Sequence, residues 1–91
     1  MKVVAICGAG IGTSVILQVN AERALRRLDI EASVTASNIA NVQQAAADAQ
    51  VILTSPELVE RIGKTNADVV VILNYLDMQE ITEKLEAALG R

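Results

Sequence analysis

Histidine, tryptophan and phenylalanine are absent from this sequence of 91 residues, and cysteine, proline and tyrosine occur once each. Without histidine, the chain lacks the commonest general base and the commonest metal ligand. Without aromatic platforms it is poorly equipped to stack on nucleobases. A net charge of −3 also argues against a nucleic-acid surface. One cysteine cannot close an internal disulfide, which suits a reducing cytosol. No apolar run approaches the roughly 18–20 residues that span a bilayer. The opening MKVVAIC is too short for a signal peptide and breaks at glycine. These absences predict a cytoplasmic protein with no metal, no cofactor, no nucleic-acid partner and no direct membrane insertion. It would reach a membrane process only by docking on another protein. Its length fits one domain over residues 1–91.

What is present is aliphatic and ordered in blocks. Val3-Val4-Ala5-Ile6, Val51-Ile52-Leu53 and Val69-Val70-Val71-Ile72-Leu73 are β-branched runs without polar alternation. Each is expected to be a strand covered on both faces, as in a parallel sheet. Glu31 to Ala36 alternates and predicts a more exposed edge strand. Helical spacing separates these runs. Leu17, Ala21, Ala24, Leu25 and Leu28 form one stripe, with Arg23, Arg26 and Arg27 on a solvated face. Met78, Ile81, Leu85 and Ala88 or Leu89 form another, and an alanine-rich segment over 39–49 predicts a third helix.

Boundary chemistry supports this division. Asp77 with Glu80 reads as a capping pair, and Ser55-Pro56 puts a hydroxyl at a cap and proline at the first helical position. Gly63 and Gly90 stand where helices end. The order βαβαβαβα, with right-handed crossovers, predicts an α/β three-layer sandwich. Its four-stranded parallel sheet is expected in order 2-1-3-4 with helices on both faces, Rossmann-like or phosphatase-like. Ligands of such folds sit beyond the carboxyl ends of the strands, which directs attention to the strand-to-helix turns.

The first of these turns reads Cys7-Gly8-Ala9-Gly10-Ile11-Gly12-Thr13-Ser14. Its glycines let backbone N–H groups converge on an anion, and the following helix adds unpaired amides and partial positive charge. Thr13 and Ser14 can offer hydroxyls, and one of them can cap that helix. A thiol beside such a cradle is expected to ionise below its ordinary pKa of about 8.5. The thiolate is then both a nucleophile and a tolerable leaving group, so a covalent thiophosphate intermediate follows. A lone cysteine after an apolar strand is also a common core residue; the adjoining glycine-rich turn favours the chemical reading. Thr54-Ser55 and Asn74-Tyr75 open on the same edge, with Thr54 and Ser55 as outer contacts or ordinary caps. Nucleotide loops fit less well. A P-loop needs a lysine that is missing here, and the dinucleotide fingerprint needs glycine where Thr13 stands.

The run VVAICGAGIGTSVILQVNAERAL resembles the start of the IIB components of the bacterial phosphoenolpyruvate-dependent sugar phosphotransferase system. The similarity is greatest to the ascorbate-type members, within a group that includes the galactitol type. The resemblance implies that Cys7 accepts a phosphoryl group from a histidine of a IIA protein. Cys7 would then pass it to a sugar held by the membrane-embedded IIC transporter, with Gly8 through Ser14 around the phosphate. It also implies a cytoplasmic protein held at the inner membrane through IIC. Two alternatives remain open at this point. One is a cysteine-dependent low-molecular-weight phosphatase or arsenate-reductase-like enzyme, although those phosphatases carry arginine where Thr13 stands. The other is a IIB-like regulatory module.

Overall fold

Strand β1 (Lys2–Ile6) runs up the middle of the sheet because four of its five side chains are buried, leaving no face for water. Helix α1 (Ile11–Arg27) returns the chain to β2 (Ser33–Ser37), and a short 3-10 turn with α2 (Val42–Ala45) leads to β3 (Val51–Thr54). A second 3-10 turn with α3 (Val59–Ile62), then β4 (Asp68–Val71) and α4 (Met78–Leu89), complete the chain. The structure is a computed structural model that describes residues 1–6, 11–63 and 65–89, with backbone alone for 11–14. The strands are parallel in the order β2-β1-β3-β4, as expected.

Strand alternation divides the core into two layers. Val3, Ala5, Val51 and Leu53 face α1 and α4, where they meet Leu17, Ala21, Leu25, Ile81 and Leu85. Val4, Ile6 and Ile52 face the other way, onto Val42, Ala46, Leu58 and Ile62. Each fully buried Leu, Ile or Val contributes about 1.5–3 kcal/mol, so the two layers hold the helices to the sheet, and among the described residues no charged side chain is buried. The predicted helix stripes occupy these positions, with Leu28, Met78, Ala88 and Leu89 packed at the margin.

Three expectations need correction. The alanine-rich segment is helical only over a 3-10 turn (Ile39–Asn41) and Val42–Ala45, because the backbone leaves the helix at Ala46 (φ −97°, ψ 4°) and Ala49 reaches the core from the turn that follows. Strand β4 ends at Val71 and is half-buried on the sheet edge, so it is not covered on both faces, and Leu73 is exposed. Helix α1 begins at Ile11, so Thr13 and Ser14 lie within its first turn and neither is the cap. The apolar stripe from Leu17 onward carries the helix back through Gly12, whose cost of about 1 kcal/mol relative to alanine is small against that burial. Gly63 ends α3 with the positive φ expected there (70°), but its ψ of −148° is not that of a left-handed helical residue, and Gly90 lies outside the described residues.

Both open sheet edges are blunted by a side chain. The Ser33 amide bonds the Met1 carbonyl at 3.0 Å, which turns Val34 toward the free edge, and Gln18 Nε2 donates to the Val34 carbonyl at 2.9 Å. On the opposite edge, the amides of Asp68 and Ile72 bond to β3 and Val71 faces outward. Lys84 Nζ donates to the Val71 carbonyl at 2.6 Å. Occupied edge carbonyls offer less of a template to another strand.

Candidate functional site

Parallel register brings the carboxyl ends of β1 and β3 side by side. The last matched pair is Ala5 with Leu53, so Ile6 and Thr54 are the next residues along. The segment joining Ile6 to the first residue of α1 is residues 7–10. Cys7, Gly8, Ala9 and Gly10 lie outside the described residues, and Ile11, Gly12, Thr13 and Ser14 are described in backbone only. In the described residues, the end of β1 lies beside the end of β3, and a 17-residue helix begins at Ile11. The helix directs its first-turn amides and positive dipole end toward this edge of the sheet.

Thr54 and Ser55 close β3 here, and their hydroxyls set the polarity of the edge. Both residues are buried, Thr54 completely. Their backbone carbonyls are paired, to Ile72 N at 2.8 Å and Leu58 N at 3.1 Å. Thr54 Oγ1 and Ser55 Oγ, however, have no hydrogen-bond partner among the described residues. Ser55 does occupy the position before Pro56, but its side chain makes no capping bond. A buried hydroxyl without a partner costs about 1–3 kcal/mol. Two adjacent ones next to the point where the chain leaves β1 form donor capacity available to a ligand or to that segment.

The β4–α4 turn forms the other flank of this edge, and α4 holds it. Asp77 Oδ1 accepts from Glu80 N at 3.1 Å, which is half of the expected capping box. The Glu80 carboxylate does not reach back; it accepts from Leu73 N at 2.8 Å and Asn74 N at 2.9 Å. Lys84 pairs with it at 2.6 Å. Burial alone would push the Glu80 carboxyl up, but the bonds from Lys84 and the two amides outweigh it and hold the group below the usual glutamate range. Asn74 Oδ1 accepts from Leu76 N at 2.9 Å, and Asn20 Nδ2 on α1 donates to Tyr75 O at 2.7 Å. Sequence spacing pointed to Glu80 only as the capping partner of Asp77, and no local signal points to the grip of Glu80 and Lys84 on residues four to thirteen positions away.

Glu80→Ala is expected to destabilise the protein by about 1–2 kcal/mol, because two amides lose a charged acceptor. In a domain of this size that lowers Tm by roughly 4–16 °C. Since the folded-state pKa is depressed, this contribution is complete above the ordinary glutamate range and disappears as pH falls through the folded value. Denaturant titrations across acid pH should show that step in the wild type and a smaller one in Glu80→Gln.

Elsewhere the chemistry is sparse. A cleft of about 690 Å³ lined by Gln43, Ala46, Gly63, Thr65, Asn66 and Val69 lies toward the amino ends of the strands, away from this edge. Among the described residues, no group of three or more Cys, Asp or Glu is placed to hold a metal ion. No described helix is long and apolar enough to cross a membrane.

A family model described as the lactose/cellobiose-specific IIB subunit of the PTS system matches residues 2–87. The chain belongs to this IIB family. It is therefore a phosphotransferase component of a sugar phosphotransferase system. The ascorbate-specific PTS system EIIB component of Mycoplasma pneumoniae (strain ATCC 29342 / M129 / Subtype 1) is 28% identical over 90 residues. That alignment spans 98% of this chain and 95% of the relative. The lactose-specific IIB component domain from Streptococcus pneumoniae superposes with a TM-score of 0.63 at 17% identity, covering 98% of this chain and 90% of that one. The likeness to the lactose-specific domain is one of fold. As a IIB component, the chain works with IIA and IIC partners in general.

Proposed function

We propose that this chain, as a single IIB domain over residues 1–91, is a phosphoryl carrier of the ascorbate type with Cys7 as the group that holds the phosphate. The observation that carries this reading is the pair of buried hydroxyls of Thr54 and Ser55, unpartnered among the described residues, on the strand beside β1. Both follow the end of β3, the strand paired with β1, which supports reading them as donors to a phosphoryl group carried beyond the end of β1. The amino end of α1 supplies further amides and a favourable dipole. The extent of similarity to the ascorbate-specific relative supports the sugar class.

In the first step the Cys7 thiolate attacks phosphorus on a IIA phosphohistidine. An S–P bond forms, the N–P bond breaks, and the electron pair returns to the imidazole, which takes up a proton. In the second step a hydroxyl of the sugar bound by IIC attacks the same phosphorus. A P–O bond forms, the S–P bond breaks, the thiolate leaves and the hydroxyl proton passes to solvent or to a base of the transporter. Amides from Gly8 to Ser14 and the two β3 hydroxyls stabilise charge on the equatorial oxygens in both steps. The chain contains no histidine to direct water onto the phosphocysteine, which favours holding the group over hydrolysing it. Through IIC the protein works at the cytoplasmic face of the inner membrane.

Incubation with phosphoenolpyruvate and the upstream phosphotransferase proteins should load one phosphoryl group per chain. Membrane vesicles containing IIC should then discharge it onto ascorbate. Loading without discharge onto any sugar would favour a regulatory module and overturn the transport role. Rapid turnover of an aryl phosphate by the isolated chain would favour a phosphatase.

A further inference from the structure

Four consecutive residues of the β4–α4 turn are bonded to three different elements. Ile72 N donates to the Thr54 carbonyl at the end of β3, at 2.8 Å. Leu73 N and Asn74 N donate to the Glu80 carboxylate on α4, at 2.8 and 2.9 Å. The Tyr75 carbonyl accepts from Asn20 Nδ2 on α1, at 2.7 Å. Packing accounts for only part of this order, because within 72–76 Ile72 alone is buried, Tyr75 is half-buried and the other side chains are exposed. The bonds hold the turn.

Glu80 is the middle of this arrangement, and its side chain does more than close a helix. Asp77 already caps α4 through Glu80 N, and Asp77 N is taken by the Asn74 carbonyl. The Glu80 side chain, 13% exposed, turns instead onto the two amides that lie between the β3 tie and the α1 tie. Keeping a carboxylate that far out of water is costly unless its bonds are made. Lys84, bonded to both Glu80 and the Val71 carbonyl, completes them. We propose that Glu80 is a positioning residue for phosphoryl transfer: by fixing Leu73 and Asn74 it holds the end of β3 and helix α1 at one spacing. The proposal rests on the carrier reading, in which the β3 hydroxyls and the amino end of α1 act on the same phosphoryl group. Donors on two elements serve one group only while their separation is constant, and a shift of about 1 Å can cost on the order of a hundredfold in rate. Glu80 acts through the turn, not on the phosphoryl group.

The test compares Glu80→Gln and Asn20→Ala with Ile62→Val, a truncation in the opposite core layer that lowers stability without touching the turn. Transfer from phosphorylated ascorbate-type IIA is measured at a temperature where all three variants are folded, as judged by amide dispersion. Glu80→Gln and Asn20→Ala should each lower kcat by about tenfold and alter KM for phosphorylated IIA by less than about twofold. The double variant should be no slower than the slower single one, since both changes cut one chain of bonds. Ile62→Val should keep kcat within about twofold of the wild type. Hydrogen exchange gives a readout that needs no transfer: in Glu80→Gln, protection should fall by about tenfold at Ile72 as well as at Leu73 and Asn74. Should Glu80→Gln fail to fold, kcat and Ile72 exchange in Asn20→Ala decide the matter in the same way. Unchanged kcat in the folded variants, exchange altered at Leu73 and Asn74 alone, additive losses in the double variant, or an equal loss in Ile62→Val would overturn the proposal. A wild-type chain that is not labelled on Cys7 overturns the carrier reading and leaves the exchange result at Ile72 intact; Cys7 labelled at the wild-type rate in both variants overturns the positioning role alone.

Discussion

A Cys7→Ser chain is expected to fold as the wild type does and to lose phosphoryl transfer by several orders of magnitude. Oxygen replaces sulfur with little change in volume, but a serine hydroxyl is not ionised near neutral pH as a cradled thiol is. Serine nucleophiles need an adjacent base, and the chain has no histidine to serve as one. An oxygen ester, once formed, would also be a poorer donor, because the alkoxide is a worse leaving group than a thiolate. The variant should therefore fail in both directions: no loading from phosphorylated IIA, and no discharge to sugar. Loading followed by mass measurement checks the first, and sugar phosphate formation with IIC vesicles checks the second.

Thr54→Val and Ser55→Ala are expected to make the protein more stable and a worse carrier. Most buried substitutions destabilise. Here each removes a hydroxyl that has no partner among the described residues, relieving about 1 kcal/mol or more. Valine keeps the shape of threonine and its strand preference. Ser55 makes no capping bond, so the usual loss on replacing a cap residue does not apply. Together the two changes should raise Tm by roughly 8–16 °C in a domain of this size. The rate of transfer should fall by about tenfold or more, as when a donor to a developing oxyanion is removed. Chemical denaturation and initial transfer rates measure the two effects separately. Loss of stability with unchanged rates would assign these hydroxyls an ordinary structural role.

These opposed effects also indicate which parts of the molecule were legible beforehand. The sheet was readable because Val3–Ile6 and Val51–Leu53 admit no polar face, and such strands belong at the centre of a parallel sheet. The stripes of α1 and α4 were readable from the spacing of Leu17, Ala21, Leu25, Ile81 and Leu85. The segment over 39–49 was overextended because alanine favours a helix without saying which side is buried. Val42, Ala46 and Ala49 are buried in the core, and Ile39 and Ala45 pack partly against it. Ser55 was placed correctly before Pro56, yet its vacant hydroxyl depends on burial between layers, which composition does not encode. The holds exerted by Gln18, Lys84 and Glu80 escaped notice for a related reason. Long polar side chains that bond backbone groups in another element leave no periodic trace in the sequence.

The chemistry proposed for the site depends on sulfur at position 7 becoming esterified by phosphate. Peptide mass mapping of the chain after incubation with phosphoenolpyruvate, the upstream proteins and IIA measures this most directly. The account predicts a single added phosphoryl group on the peptide containing Cys7, removed when IIC vesicles and ascorbate are supplied. A phosphoryl group found on another residue, or an unmodified Cys7 under conditions that phosphorylate IIA, would contradict it.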